Sequence, residues 1–188
     1  MALAIKEEHL SVQDYLDGEE VSDIKHEYIA GKVYAMSGGT MAHQRIARNF
    51  TRHAGNELAG KPCEPTNSDF KLRIHLGDEL AFYYPDAMIV CETTPDDAHF
   101  TDSPAVILEV LSPSTRRDDE VQKYRDYLTV PSLKVYIIAE ADFAKITIYR
   151  RDGDSFSGTI LATVDATLDL PEVGIAIPMS DLYRDVQL

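Results

Sequence analysis

The chain has 188 residues, of which 44 % are hydrophobic and 27 % charged, and its 18 Lys and Arg face 32 Asp and Glu for a net charge of −14. That mixture argues against a disordered chain and suits one domain, taken as residues 1–188 with a core near residues 11–183. A surface this acidic repels a nucleic-acid duplex on average, unless the cations gather on one side. No apolar run approaches the ~20 residues that span a bilayer, and Met1 to Leu10 reads without a signal-peptide core. The two cysteines, Cys63 and Cys91, have no zinc-type spacing and speak against a disulfide framework, which points to the cytoplasm.

In chain order, Ser11 to Asp17 reads as a short helix with Ser11 as its N-cap. His26–Ile29 and Lys32–Met36 flank Ala30-Gly31 at hairpin spacing. From Thr40 to Leu58 the period becomes helical, with Ala47, Phe50, Ala54 and Leu58 on one stripe and His43 near the same face. Phe70 to Leu76 alternates as a half-buried strand, and Gly77-Asp78-Glu79 turns it into Leu80–Tyr84. Pro85 interrupts that strand, Ala87–Cys91 continues it, and Thr93–Ser103 is a loop. Ala105–Leu111 is a nearly continuous apolar run, the pattern of a central strand buried on both faces. A helix from about Arg116 to Thr129 follows, capped by Thr115 and Asp118, with Val121, Tyr124 and Leu128 as its core stripe. Strands at Leu133–Ala139, Lys145–Arg151 and Ser155–Val164 precede a proline-punctuated tail ending in an amphipathic piece, Pro178–Leu188. The fold class is α/β or α+β, a mixed central sheet flanked by helices.

Three polar residues stand where apolar ones belong. Glu109 interrupts the central apolar run, where an unpaired carboxylate would cost several kcal/mol or take up a proton. Asp86 follows Pro85 as a strand enters its buried stretch, although a Pro-Asp pair alone is a turn signal. Lys123 lies one position off the stripe of the following helix and shares a face with Tyr127; pairing with Asp119 is its plain alternative. Two acids and a lysine at one sheet end suit phosphodiester hydrolysis with Mg²⁺, which takes oxygen ligands, polarises a phosphate oxygen and acidifies a bound water.

Tyr84-Pro85-Asp86, the segment Val106 to Thr115 with its Glu-Val-Leu-Ser-Pro-Ser-Thr core, then Asp118, Lys123 and Tyr127, resemble the Uma-two family of prokaryotic proteins described as restriction endonucleases. The early stretch Glu27 to Val33 and His43 belong to the same resemblance. It implies the PD-(D/E)XK nuclease superfamily, hence a restriction-endonuclease-like core with an added N-terminal hairpin. It also implies Mg²⁺, with Mn²⁺ as a substitute, and DNA as partner. Asp86 and Glu109 match the motif acids, the Val110 carbonyl would be a backbone metal ligand, and Glu27 an extra ligand or water organiser. The motif lysine position holds Leu111, so Lys123 from the next helix is the expected replacement, with His43 and Tyr127 as accessories.

Phosphate contacts are expected from Arg45, Arg48 and Arg52 on one helical stripe, from Lys71 and Arg73 on a strand, and from Arg116 and Arg117 beside the site. A homodimer would suit a two-strand cutter, with the tail packing on a partner or on its own sheet. Two other readings compete: a weak or inactive binding or assembly module that keeps the nuclease fold, and a hydrolase of small phosphoesters. The carboxylate cluster should hold at least one of Glu27, Asp86 and Glu109 with a raised pKa.

Overall fold

The structure is a computed structural model that describes residues 9–111 and 119–188. Helix α1, Val12–Val21, starts at Ser11, whose hydroxyl accepts from the Asp14 amide, and runs past the expected Asp17. Strands β1 (His26–Ile29) and β2 (Lys32–Ala35) form the expected hairpin around Ala30 and Gly31, both at positive φ. Gly31 is required there twice over: φ is +85°, and an added Cβ would stand 2.3 Å from the His9 ring. Helix α2, Met41–Leu58, is capped by the Thr40 hydroxyl and buries Ile46, Phe50, Ala54 and Leu58. It is followed by β3 (Glu64–Asn67), β4 (Lys71–Leu76), β5 (Glu79–Tyr83), β6 (Ala87–Val90), β7 (Phe100–Thr101) and β8 (Pro104–Leu111). The chain then gives α3 (Asp119–Leu128), β9 (Val135–Glu140), β10 (Ile146–Asp152), β11 (Ser155–Leu161), β12 (Thr167–Leu170), β13 (Ile175–Pro178) and α4 (Met179–Leu182).

The strands make a six-stranded sheet in the order β11-β10-β9-β8-β6-β3, a five-stranded sheet in the order β2-β1-β5-β4-β7, and the hairpin β12-β13. Strand β8 lies inside the larger sheet, parallel to β9 and antiparallel to β6. Alternation then sorts its side chains. Val106, Leu108 and Val110 join Ala87 and Ile89 of β6, Val135, Ile137 and Ala139 of β9, and Ile46 and Phe50 of α2 in one core. Ile107 joins Met88, Tyr136, Tyr127 of α3 and residues of β4 and β5 in a second core on the other face. Tyr15, Tyr28 and Phe82 close a third cluster under α1.

Several sequence expectations need correction. Leu80–Tyr84 and Ala87–Cys91 are not one interrupted strand, because β5 and β6 belong to different sheets. Pro85 lacks an N–H and restricts Tyr84, so the ladder stops and the chain crosses between layers. Strand β3 was not foreseen: its sequence, Glu-Pro-Thr-Asn, has no apolar alternation, and only an edge position tolerates its proline. The expected loop after Thr93 contains the short β7. In α3, Val121 is 51 % exposed, whereas Tyr127 and Asp126 are buried, so the helix turns its Lys123–Tyr127 side inward. The expected cap at Thr115 and Asp118 lies outside the described residues.

Cys63 and Cys91 form a disulfide across β3 and β6, with Cα atoms 3.9 Å apart. The register that pairs Glu64 with Val90 carries them together, which a count of two cysteines had not revealed. The tail packs on its own chain: Leu182 and Tyr183 are buried in the first core, and the Tyr183 hydroxyl donates to the Glu140 and Lys145 carbonyls. Among the described residues no helix is long and apolar enough to cross a membrane.

Candidate active site

Strand pairing explains why two acids 23 positions apart meet. In the antiparallel register Ala87 lies opposite Leu108, so Asp86 and Glu109 stand at the next pair along the two strands. Here the ladder gives way to side chains: the Val110 amide donates to Asp86 Oδ2 at 2.7 Å. His43, one turn into α2, bonds the other Asp86 oxygen through Nε2, also at 2.7 Å. Glu109 points to the opposite face from Leu108 and Val110, where the Tyr127 hydroxyl donates to its Oε1 at 2.6 Å. Lys123, one turn before Tyr127, puts Nζ 3.6 Å from Glu109 and 2.7 Å from Glu27 of β1. All five residues, Glu27, His43, Asp86, Glu109 and Lys123, line one cleft of about 510 Å³.

The electrostatics follow from burial. Glu109 is only 8 % exposed. Desolvation pushes its pKa up to about 7. Lys123 and the Tyr127 hydrogen bond oppose that rise, while Asp86 and Glu27 add to it. For Lys123, burial works against the charged form, but Glu109 and Glu27 outweigh it and hold the ammonium above its ordinary range. In His43 burial again favours the neutral ring, yet the Asp86 hydrogen bond and charge win and raise its pKa. Tyr127 is held well above the usual phenol range by burial and by the Glu109 charge, so its hydroxyl remains a donor.

A further set of polar residues supports α3 and was not singled out from the sequence. Asp126 is buried and accepts from the Tyr83 hydroxyl at 2.6 Å and from Gln122 at 2.9 and 3.0 Å. The Lys123 ammonium lies 5.7 Å from the centre of the Tyr83 ring. The one hint in the sequence was an acid four residues after Gln122 on a helix with an inward face. On the other side of the cleft, Tyr84 donates to Glu19, which also holds the His26 ring at 2.8 Å.

Among the described residues the candidate phosphate contacts do not gather at this cleft. Arg45, Arg48 and Arg52 follow α2 but are not among the cleft-lining residues. Lys71 is 8 % exposed, not on the surface, and its ammonium lies 5.3 Å from the centre of the Tyr84 ring. Arg73 grips Asp102 with two bonds of 2.8 and 2.6 Å and stacks on Phe100, beside a separate cleft. Arg116 and Arg117 lie outside the described residues.

Residues 12–179 match the Uma2 family, described as "Putative restriction endonuclease". The chain belongs to this family. It is 32 % identical to the Synechocystis protein slr1290 over 178 residues, 93 % of this chain and 92 % of that one. A second Synechocystis protein, sll1609, is 30 % identical over 152 residues, 77 % of this chain and 82 % of its own. The fold resembles a crystal structure from Anabaena variabilis described as a "putative nuclease", with a TM-score of 0.70 and 16 % identity over 86 % of this chain and 91 % of that one. The Uma2 chain thus has the mixed α+β fold expected, mixed sheets flanked by helices, shared with that structure.

Among the described residues no three His, Cys, Asp or Glu side chains form a ready-made metal cage. The donor chemistry nevertheless fits a hard divalent ion. Mg²⁺ is usually held by one or two carboxylates and keeps several waters. Asp86 and Glu109 are such a pair, and burial of Glu109 among acids marks negative charge that a cation would relieve. Glu27, expected as a further ligand, has its Oε1 against the Lys123 ammonium.

Proposed function

We propose that this Uma2-family chain is a Mg²⁺-dependent deoxyribonuclease, with Mn²⁺ as a substitute ion. The observation that carries the reading is the convergence of Asp86, just before β6, Glu109 of β8 and Lys123 of α3 on one cleft. Asp86, Glu109 and the Val110 carbonyl would hold the ion. When bound, it would supply Lewis-acid polarisation of a phosphate oxygen and a more acidic water. Lys123 would stabilise negative charge on the attacked phosphate, with Glu27 fixing its ammonium. Tyr127 would keep the Glu109 carboxylate in one orientation. The lysine would act from α3 because its usual position in the strand motif is Leu111.

DNA incubated with Mg²⁺ tests this. Cleavage should fall by at least about a hundred-fold in Glu109→Ala and in Lys123→Ala. Equal cleavage by wild type and Glu109→Ala would sink the assignment.

A second reading has its own support. Each acid already has an internal partner: Lys123 for Glu27, Tyr127 for Glu109, His43 and the Val110 amide for Asp86. A self-satisfied site with a −14 chain suits a binding or assembly module that keeps the fold. That module would show no melting shift with Mg²⁺ or Mn²⁺; a shift that disappears in Asp86→Asn favours the nuclease. A cytoplasmic location and a homodimer belong to the nuclease proposal. In that compartment Cys63 and Cys91, which the β3–β6 register brings together, would mostly be kept as reduced thiols. Light scattering decides the homodimer.

A further inference from the structure

The mouth of the cleft carries an aromatic ring that the proposed hydrolysis does not use. In the β1–β2 hairpin Glu27 lies directly opposite Tyr34. Directly paired residues of an antiparallel ladder project to the same face. Tyr34 therefore stands beside the carboxylate that holds Lys123, and it lines the same cleft. Its neighbourhood is open: β2 is the edge strand of its sheet, all four of its residues are exposed, and Tyr34 itself is 49 % exposed. Gly38, just beyond β2, also lines the cleft, and a Cβ there would meet nothing within 4 Å. The ring is left half in water, directly opposite a glutamate of the buried Glu27–Lys123 ion pair.

The charges at the cleft narrow what the ring could receive. Among the described lining residues the lysines are Lys25 and Lys123, and both are already in ion pairs, with Asp69 and with Glu27. Three acids, Glu27, Asp86 and Glu109, line the same space. Duplex binding draws its affinity from neutralising several phosphates on both strands, which the described lining residues do not supply. A single strand can instead be held by stacking a base on an aromatic face, and any base can stack. About 510 Å³ is also the size of a site for one small molecule, enough for an extruded nucleotide.

We propose that the cleft accepts an unpaired strand of DNA and that Tyr34 is the platform on which the base next to the reacting phosphate stacks. The inference rests on the nuclease reading for the identity of the ligand, and names the form of DNA that site takes. Binding of a fluorescently labelled single-stranded oligonucleotide and of a blunt duplex of the same sequence, measured in chelator so that no turnover occurs, tests it. The single strand should bind at least about ten-fold more tightly. Tyr34→Ala and Tyr34→Leu should each weaken it by about ten-fold or more, with Tyr34→Phe close to wild type. Leu keeps apolar bulk on the strand but has no π-face, so it separates stacking from packing. A 2-aminopurine placed in the strand should be quenched on binding by wild type and not by Tyr34→Leu. Duplex affinity equal to or above single-strand affinity, or Tyr34→Leu behaving like wild type, overturns the proposal. Metal-dependent cleavage of duplex by a Tyr34→Leu protein at the wild-type rate would leave the nuclease reading standing and remove only this inference. Tyr34-dependent binding without cleavage would do the reverse.

Discussion

The two faces of β8 divide the labour of the molecule. On one, Val106, Leu108 and Val110 are locked against α2 by side chains that have no charge to satisfy. On the other, one residue away, Glu109 is also buried but needs Tyr127, Lys123 and, through the lysine, Glu27 to be tolerated there. The first face is held by the hydrophobic effect, which is indifferent to pH and to direction. On the second, beside the apolar cluster around Ile107, Glu109 is held by directional, charge-dependent contacts from α3 and, through Lys123, from β1. Stability on the first face therefore depends on volume, and around Glu109 on the second it depends also on protonation.

The largest expected effect breaks the second face. Lys123→Ala leaves Glu27 and Glu109 buried without their cation, and should cost about 3–5 kcal/mol at pH 8 in urea unfolding. The cost should shrink near pH 5, where Glu109 takes up a proton. Leu108→Ala is the counterpart on the first face. It should cost about 2–5 kcal/mol through the cavity it leaves, and the cost should not change between those pH values. If both variants respond to pH alike, the distinction between the faces fails.

The unaltered protein should show the same asymmetry without metal. Glu109 has its folded pKa raised to about 7 from an ordinary 4.5, so the folded state binds its proton more firmly than the unfolded chain does. Stability is then greatest below the unfolded pKa and declines as pH rises from about 4.5 to 7. His43, also raised, adds to the decline at pH values above its ordinary 6.5. Each such proton contributes a slope of up to about 1.4 kcal/mol per pH unit. Thermal melts of metal-free protein across this range should fall with pH, and Glu109→Gln should flatten the profile.

The smallest effect sharpens the comparison. Tyr127→Phe removes one hydrogen bond to Glu109 and should cost about 1 kcal/mol. Because that bond favours the ionised carboxylate, its loss should also move the Glu109 midpoint upward, visible in the same pH series.

Parts of this arrangement were open to reading along the chain. The run Ala105–Leu111 identified a strand buried on both faces, because continuous apolarity has no other use in a sheet. Glu109 stood out within it for the same reason, and the i, i+4 spacing of Lys123 and Tyr127 placed both on one helical side. Other parts were hidden. Val121 looked like core and is exposed, since an amphipathic helix can rotate to bury a lysine when an acid awaits it. Asp126 and Tyr83 gave no local signal of their bond because they come from α3 and β5. Lys71 and Arg73 looked like phosphate contacts, and are occupied by Tyr84 and by Asp102.

The sequence by itself determined the longer strands, the long helix, the hairpin turn and the oddity of a few charged residues, because periodicity, turn chemistry and desolvation act within a short stretch of chain; the short strands β3, β7, β12 and β13 were not legible in it. Only the tertiary structure decided that Asp86 sits across from Glu109, that Lys123 reaches Glu27, and that Cys63 meets Cys91. Those depend on strand register and on which sheet a segment joins, and both are settled by contacts between residues far apart along the chain.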